Sequence, residues 1–185
     1  MVAQVLAANG AKVYICSRSK DKLDRASETH GQDARGEITS LQADITTKKD
    51  IASLCDEMKS REEYLTTVIN VTSISGLVKT SQHHFSYNAS KAAAIHLTRM
   101  LASDIAATGL KIRVNSIAPG VFPSEMTAGE SDKAQKSKLE TERYQGKVPA
   151  NRPGKASAVL FTAGNQYLNG QTITVDGGYT LAAGL

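Results

Sequence analysis

The sequence alternates short β-prone runs with helical patterns, and this alternation limits the fold more than any other feature. Residues 12–16, 37–43 and 68–71 form continuous runs of the kind found in parallel strands covered on both faces. Helical patterns at residues 20–29 and 46–65 lie between these runs. Strands that alternate with helices pair in parallel through right-handed crossovers. We therefore predict an α/β fold with a doubly wound parallel sheet.

Length and composition indicate a single globular domain over residues 1–185, large enough to bury a core. Hydrophobic residues make up 41% and charged residues 22% of the chain, as is typical of soluble proteins. We find neither an apolar run that could span a bilayer nor a signal peptide, so we predict a cytoplasmic protein and no membrane partner. The two cysteines, Cys16 and Cys55, indicate neither a disulfide framework nor a metal site.

The charge pattern argues against a nucleic-acid partner. The formal net charge is only +4, aromatic residues are 5% of the chain, and Trp is not used. Proteins that bind single-stranded nucleic acids stack bases on aromatic side chains, so such a surface is not expected. A mild positive charge instead favours a cofactor that carries phosphate.

Tyr87 and Lys91 stand four residues apart at the start of an Ala-rich helical pattern. Residues at this spacing share one face of a helix. A phenol has a pKa of about 10, which a nearby ammonium lowers by favouring the phenolate. Such a pair can exchange a proton with a substrate oxygen near neutral pH. On spacing alone, the plainer interpretation is favoured: a helix start with a partly buried Tyr and a solvated Lys.

Flanking motifs reverse this preference. Residues 68–76, VINVTSISG, indicate a buried strand that runs into a hydroxyl-rich turn, and residues 112–120, IRVNSIAPG, a strand that ends in a Pro-Gly loop. Together with Tyr87, Lys91 and the C-terminal NGQTITVDGG at residues 169–178, this order resembles the short-chain dehydrogenase/reductase family. The resemblance covers nearly the whole chain, and it implies a Rossmann-like fold.

The resemblance implies the catalytic roles. Tyr87 would be the general acid in carbonyl reduction and the general base in alcohol oxidation. Lys91 would lower the pKa of Tyr87 and bond the nicotinamide ribose, and both Tyr87 and Lys91 would contact the cofactor. Ser73 fits the serine that holds the substrate carbonyl and stabilises its developing negative charge. Ser75 is the alternative, and either serine could instead cap the local backbone of its turn. Asn115 would join loops through hydrogen bonds, a structural role.

The resemblance also implies contacts with the nicotinamide. Pro119, Gly120 and Val121 match the loop beside the carboxamide of that ring. Ser124 and Thr127 are candidates for the hydroxyl that bonds the same amide. No residue of the chain is expected to bind a metal.

The adenosine half of the cofactor would meet the ends of two other strands. Asp44 and Ile45 match the adenine-contacting pair of the family. At the end of the strand at residues 12–16, an NAD enzyme places an acidic residue that grips the ribose 2′-hydroxyl. Ser17 and Arg18 stand there instead, and they suit a 2′-phosphate. We therefore predict NADP(H) as the cofactor, the alternative being an exposed basic turn.

Two family segments are missing from the sequence. A first strand and its Thr-Gly-x3-Gly-x-Gly turn would precede residues 1–8, and a strand ending in Asn-Asn-Ala-Gly would lie between Leu65 and Val68. In the family's strand order, 3-2-1-4-5-6-7, the missing first and fourth strands are neighbours at the sheet centre. We thus expect a truncated domain with an incomplete sheet. The strands at residues 12–16 and 37–43 would then pair directly with the strand at 68–71, or the sheet edge would stay open.

The leading functional hypothesis is an NADPH-dependent oxidoreductase that reduces a ketone to a secondary alcohol. The residues from Pro119 onward resemble the 3-oxoacyl-acyl-carrier-protein reductases of the rhamnolipid kind, which implies a 3-oxoacyl thioester or a similar ketone as substrate. The resemblance also implies a homo-oligomer. The alternative is a truncated, non-catalytic homologue that binds no cofactor, or one that serves as a partner of intact family members.

Overall fold

The computed structural model describes residues 2–32, 34–79, 84–122 and 155–182, with the side chains of the last range described from residue 157. Contacts divide the chain into two compact units, Met1–Leu65 and Thr66–Leu185. Each unit is a parallel sheet with helices against it, which confirms the predicted Rossmann-like α/β class in partial form. That the two units form a single domain stays a prediction.

The first unit contains a two-stranded sheet. Its elements are α1 (Val2–Ala8), β1 (Lys12–Ser17), α2 (Lys20–Gly31), β2 (Glu37–Gln42) and α3 (Lys48–Arg61). The two strands are parallel and in register from Lys12 opposite Glu37 to Ser17 opposite Gln42. Gly10 follows α1 with a φ of 87°, a left-handed conformation that glycine adopts without a Cβ penalty. The side chains of Ser19 and Thr47 cap α2 and α3 as N-cap residues do.

Helix α3 ends four residues earlier than the sequence pattern suggests. Glu62 leaves the helical conformation, with φ −130° and ψ 134°. Its carboxylate lies 2.7 Å from Lys12 Nζ and accepts a hydrogen bond of 2.5 Å from the hydroxyl of Tyr14. The hydrogen bond to Lys12 lowers the pKa of Glu62 below its ordinary value, and the same bond raises the pKa of Lys12. At the point where α3 ends, Glu62 thus contacts the start of β1.

Helix α3 is largely exposed. No residue of this helix is buried in the described part of the chain, and Ile51 is 43% exposed. The helical pattern places Ile51, Leu54, Cys55 and Met58 along one side of the helix. A sheet of two strands offers a helix only a narrow surface, so most of α3 faces outward.

The second unit is built around a strand that is buried from Val114 to Pro119. Its elements are β3 (Thr67–Val71), a 3-10 turn (Ile74–Gly76), α4 (Phe85–Ala107), β4 (Arg113–Pro119), α5 (Lys155–Gly164), β5 (Thr172–Val175) and α6 (Tyr179–Ala182). The strand order is β3-β4-β5, all parallel. In β4, Val114 and Ile117 are each 1% exposed and Ala118 is fully buried. This strand forms the centre of the core.

The polar residues of β4 are buried together with bonded partners. Asn115 is fully buried, its Nδ2 donates to the Leu168 carbonyl at 2.9 Å, and its Oδ1 accepts from the Gln171 amide at 3.0 Å. Ser116 and Thr172 share a side-chain hydrogen bond of 2.8 Å across β4 and β5. Buried polar groups that are satisfied in this way fix one register. The loop-joining role expected of Asn115 is confirmed.

The described strands form two separate sheets. Among the described residues, β1 and β2 pair only with each other, and β3 pairs only with β4.

Arg113, at the start of β4, holds the carboxyl end of α5. Its Nη1 donates to the carbonyls of Asn165 at 2.8 Å and Thr162 at 3.3 Å, and its Nη2 donates to that of Ala163 at 2.8 Å. The last carbonyls of a helix lack partners within the helix and carry partial negative charge. One guanidinium therefore ties α5 to the central strand.

Replacing Arg113 by Lys should lower the free energy of unfolding by about 1–3 kcal/mol, because one ammonium cannot reproduce the planar fork that bonds several carbonyls. Chemical denaturation of both proteins measures this difference. The exposed Arg99 on α4 provides the control, since Arg99→Lys should change stability by less than about 0.5 kcal/mol. Equal effects of the two substitutions would contradict the role given to Arg113.

Candidate active site

The carboxyl end of β3 presents a buried serine. Ser73 is 8% exposed and begins the 3-10 turn. Its Oγ accepts a hydrogen bond of 3.2 Å from the Ser75 amide. A hydroxyl has one donor as well as its acceptor lone pairs, so this bond leaves the O–H of Ser73 able to donate to another group.

Tyr87 and Lys91 lie on the first turns of α4, both partly exposed. The ammonium of Lys91 is 5.6 Å from the centre of the Tyr87 ring. The same ammonium donates a hydrogen bond of 3.2 Å to the carbonyl of Val71, the last residue of β3. Lys91 therefore lies between the catalytic tyrosine candidate and the end of the strand that leads to Ser73.

Gly76 allows the serine turn to lie directly against α4. A Cβ at this position would fall 2.6 Å from the carbonyl carbon of Lys91 and 2.7 Å from the amide nitrogen of Ala92. These are backbone atoms, which cannot move aside as a flexible side chain can. The glycine therefore determines how closely the Ser73 turn approaches the Lys91 backbone.

A pair of polar residues that sequence reasoning missed fastens α4 to β3. Asn70 Nδ2 donates to Thr98 Oγ1 at 3.0 Å, and the Thr98 hydroxyl donates to the Ala94 carbonyl at 2.9 Å. Thr98 is fully buried. The signal in the sequence was a lone polar residue at 98 on the otherwise apolar side of the α4 pattern.

The loop after β4 is packed against the residue that follows β5. The Gly120 amide donates to the Val175 carbonyl at 2.9 Å, and a Cβ on Gly120 would lie 2.8 Å from Cα of Asp176. Pro119 closes β4, and Val121 follows Gly120 at intermediate exposure. Ser124 and Thr127, the two candidates for the carboxamide-bonding hydroxyl, lie outside the described residues.

Asp176 anchors the short helix α6. Its Oδ1 accepts from the Gly178 amide at 3.0 Å, and its Oδ2 accepts from the Thr180 amide at 2.7 Å. Burial raises the pKa of Asp176, but the hydrogen bonds from Thr180 and Gly178 together outweigh it and hold the pKa below its ordinary value. The carboxylate is thus ionised where it supports the Gly120 loop.

The four adenosine-side candidates meet at the carboxyl ends of β1 and β2. The Ala43 amide donates to the Ser17 carbonyl at 3.1 Å, and Gln42 Nε2 donates to the Arg18 carbonyl at 2.9 Å. The guanidinium of Arg18 is exposed, and Ile45 is 67% exposed.

Asp44 is held by its own turn. Its Oδ1 accepts from both the amide and the hydroxyl of Thr46, at 2.9 and 2.7 Å. These bonds from Thr46, together with the charge of Arg18, hold the pKa of Asp44 below its ordinary value.

The structure therefore brings the site candidates together in two groups. Ser73, Tyr87, Lys91 and the Pro119 loop belong to the second unit, whereas Ser17, Arg18, Asp44 and Ile45 belong to the first. No cluster of three or more metal-binding side chains occurs within the described ranges. Likewise, none of the helices in those ranges has the length and apolar character needed to span a membrane.

Comparison with known proteins identifies the family. The family model described as enoyl-(acyl carrier protein) reductase matches residues 61–180, well over half of the chain. The chain belongs to the short-chain dehydrogenase/reductase family. Members of this family are oxidoreductases that use NAD(P)H and act on small molecules.

Individual relatives agree with this assignment. The chain is 26% identical to the short-chain dehydrogenase/reductase PhomF′ of Diaporthe leptostromiformis, over 96% of this chain and 86% of that one. It is 35% identical to the rhamnolipids biosynthesis 3-oxoacyl-[acyl-carrier-protein] reductase of Pseudomonas aeruginosa, over 62% of this chain but only 44% of that enzyme. The solved Pseudomonas aeruginosa RhlG/NADP active-site complex superposes with a TM-score of 0.78 at 25% identity, covering 96% of this chain and 90% of that one.

The alignment with PhomF′ also shows that the relative carries additional residues. It extends over 256 positions, whereas this chain has 185 residues. The additional alignment positions are ones at which the relative has a residue and this chain has a gap. Such gaps accord with the separation of the strands into two sheets.

Replacing Gly76 by Ala should destabilise the protein by about 1–3 kcal/mol, the usual cost of overpacking, because the new methyl group meets backbone atoms of α4. Thermal denaturation measures the change. Gly31, in α2, is the matched control: a Cβ there would meet nothing within 4 Å. Gly31→Ala should leave stability unchanged or raise it by up to about 1 kcal/mol, and a Gly76→Ala protein as stable as the wild type would refute the close contact.

Proposed function

We propose that this protein is an NADPH-dependent ketoreductase, which reduces a ketone to a secondary alcohol. The observation that carries the proposal is the grouping at the end of β3. There the Lys91 ammonium bonds the Val71 carbonyl and lies 5.6 Å from the centre of the Tyr87 ring. Val71 is two residues before the buried Ser73. These are the proton donor, the cation and the hydroxyl that carbonyl reduction requires.

Each of the three side chains has a defined task in the proposed reaction. The Tyr87 hydroxyl gives its proton to the carbonyl oxygen of the substrate as the alcohol forms. The Lys91 ammonium places positive charge beside the phenolate that remains. The Ser73 hydroxyl, oriented by the Ser75 amide, donates a hydrogen bond to the same carbonyl oxygen and stabilises its developing charge. In the reverse direction, Tyr87 would accept the proton.

The residues present fit part of NADPH. When bound, the cofactor supplies the hydride. The exposed Arg18 guanidinium and the Ser17 hydroxyl suit a 2′-phosphate, and Asp44 with Ile45 would meet the adenine. Lys91 has two N–H donors besides the one on Val71, and these suit ribose hydroxyls. Pro119, Gly120 and Val121, with Ser124 or Thr127, would contact the carboxamide.

For the substrate we propose a 3-oxoacyl thioester or a ketone of similar size. The support is the resemblance of the sequence after Pro119, together with relatives whose names specify a 3-oxoacyl-[acyl-carrier-protein] reductase. The chain matches less than half of the length of those relatives, 44% in both cases. Substrate class, homo-oligomer formation and cytoplasmic location remain predictions for this chain.

A second candidate function is a non-catalytic homologue that binds no cofactor. The separation of the described strands into two sheets favours it, because the pyrophosphate of a dinucleotide normally rests on the Gly-rich turn after a central strand. Titration with NADPH, followed by the fluorescence of the reduced nicotinamide, separates the two. Saturable binding supports the reductase, and no binding at about millimolar NADPH supports the alternative.

Replacing Tyr87 by Phe should lower kcat for carbonyl reduction at least about 100-fold, since the general acid is removed. NADPH affinity should change little, so the loss appears in steady-state turnover and not in the binding titration. The control is Tyr167→Phe, which removes the hydroxyl of a tyrosine that is 99% exposed and should leave kcat unchanged. Full turnover by the Tyr87→Phe protein would show that another group donates the proton.

Replacing Arg18 by Ala should weaken NADPH binding about ten-fold or more, the effect of losing a charge-assisted hydrogen bond to the 2′-phosphate. NADH, which lacks that phosphate, should bind with unchanged affinity. Arg25, exposed on α2, is the control position. If Arg18→Ala and Arg25→Ala weaken both cofactors equally, Arg18 does not read the 2′-phosphate.

A further inference from the structure

Thr72 makes two hydrogen bonds to a single carbonyl between β3 and β4. Its amide donates to the Ile117 carbonyl at 2.8 Å, and its hydroxyl donates to the same oxygen at 2.9 Å. The residue is only 3% exposed. The amide bond continues the ladder of the two parallel strands, so the hydroxyl bond is an additional tie at their carboxyl ends.

The two ends of this tie lead to different parts of the site. On one side, the next residue is Ser73, whose hydroxyl is held by the Ser75 amide. On the other side, Ile117 is followed by the fully buried Ala118 and then by the Pro119 loop, where the Gly120 amide bonds the Val175 carbonyl. Each side is thus fixed locally, and Thr72 joins the two.

We propose that Thr72 is a positioning residue for the ketoreductase reaction. Its hydroxyl keeps Ser73 at a fixed distance from the loop at Pro119–Val121. Thr72 is buried and bonded within the protein, so it acts through Ser73 and the loop. This inference rests on the proposed function, because the distance matters only if Ser73 and the loop hold the substrate carbonyl and the nicotinamide. Displacements of about 1 Å can reduce rates up to about 100-fold.

Paired substitutions at residue 72 test the role. Thr72→Val keeps the shape and removes the hydroxyl, whereas the Ile117 carbonyl keeps its bond from the amide. We expect kcat to fall about ten-fold with little change in KM or in NADPH affinity. Thr72→Ser restores the hydroxyl and should recover kcat to within about two-fold. If Thr72→Ser loses as much activity as Thr72→Val, the hydroxyl is not what positions the site.

Thr162 provides the matched control. It is also fully buried, and its hydroxyl donates to the Ala158 carbonyl at 2.7 Å within α5. Thr162→Val should lower the melting temperature by about as much as Thr72→Val while leaving kcat unchanged. A similar loss of kcat in both variants would show that the loss comes from lower stability of the fold, and it would overturn the proposal.

Amide hydrogen exchange tests the tie without turnover and separates this inference from the proposed function. In Thr72→Val, the Ser75 and Gly120 amides should exchange about ten-fold faster than in the wild type, a shift corresponding to about 1.4 kcal/mol of local opening. In Thr162→Val they should exchange at the wild-type rate. Unchanged exchange of both amides in Thr72→Val would overturn the inference. If the two amides exchange faster in Thr72→Val but the wild-type protein reduces no carbonyl, the inference about the Thr72 hydrogen bond stands and the proposed reductase function is refuted.

Discussion

Burial of β4 is the constraint on which the second unit depends. A strand with neighbours on both edges and almost no exposed surface must satisfy every polar group that it contains. Asn115 bonds the segment before β5, and Ser116 bonds β5 itself. Arg113 bonds the end of α5. The polar side chains of one strand thereby determine the positions of its neighbours. Apolar packing alone would allow those neighbours to shift.

The site inherits its geometry from this strand through backbone contacts. Thr72 joins β3 to β4, Gly76 brings the serine turn against α4, and Gly120 brings the loop after β4 against Asp176. Tyr87 and Lys91 stand on a helix that Asn70 fastens to β3. Few of these contacts involve the catalytic candidates themselves. The proposed reaction, which requires positions accurate to a fraction of an ångström, would therefore depend on residues outside the catalytic group as well.

The sequence predicted the elements well because their signals are local. The β-prone runs at residues 12–16, 37–43 and 68–71 each act within a few residues, and the strands that they indicate are present. The end of α3 and the exposure of Ile51 could not be read in this way. The end of α3 coincides with a contact between Glu62 and Lys12, 50 residues away, and the exposure of Ile51 varies with how much sheet the helix covers. Similarly, the order of motifs indicated Ser73, Tyr87 and Lys91 as site candidates. The hydrogen bond from Lys91 to a main-chain carbonyl could not be predicted, because it does not depend on the side chain of the accepting residue.

That last bond has a consequence for how the chain tolerates mutation. The partner of Lys91 is the carbonyl of Val71, and every amino acid supplies a carbonyl at that point of the backbone. The Val71 side chain is 55% exposed, so most replacements there would meet little resistance from packing. Position 71 can therefore vary in sequence while the ammonium keeps its place. Substitutions at position 71 therefore leave in place the backbone carbonyl that bonds the Lys91 ammonium.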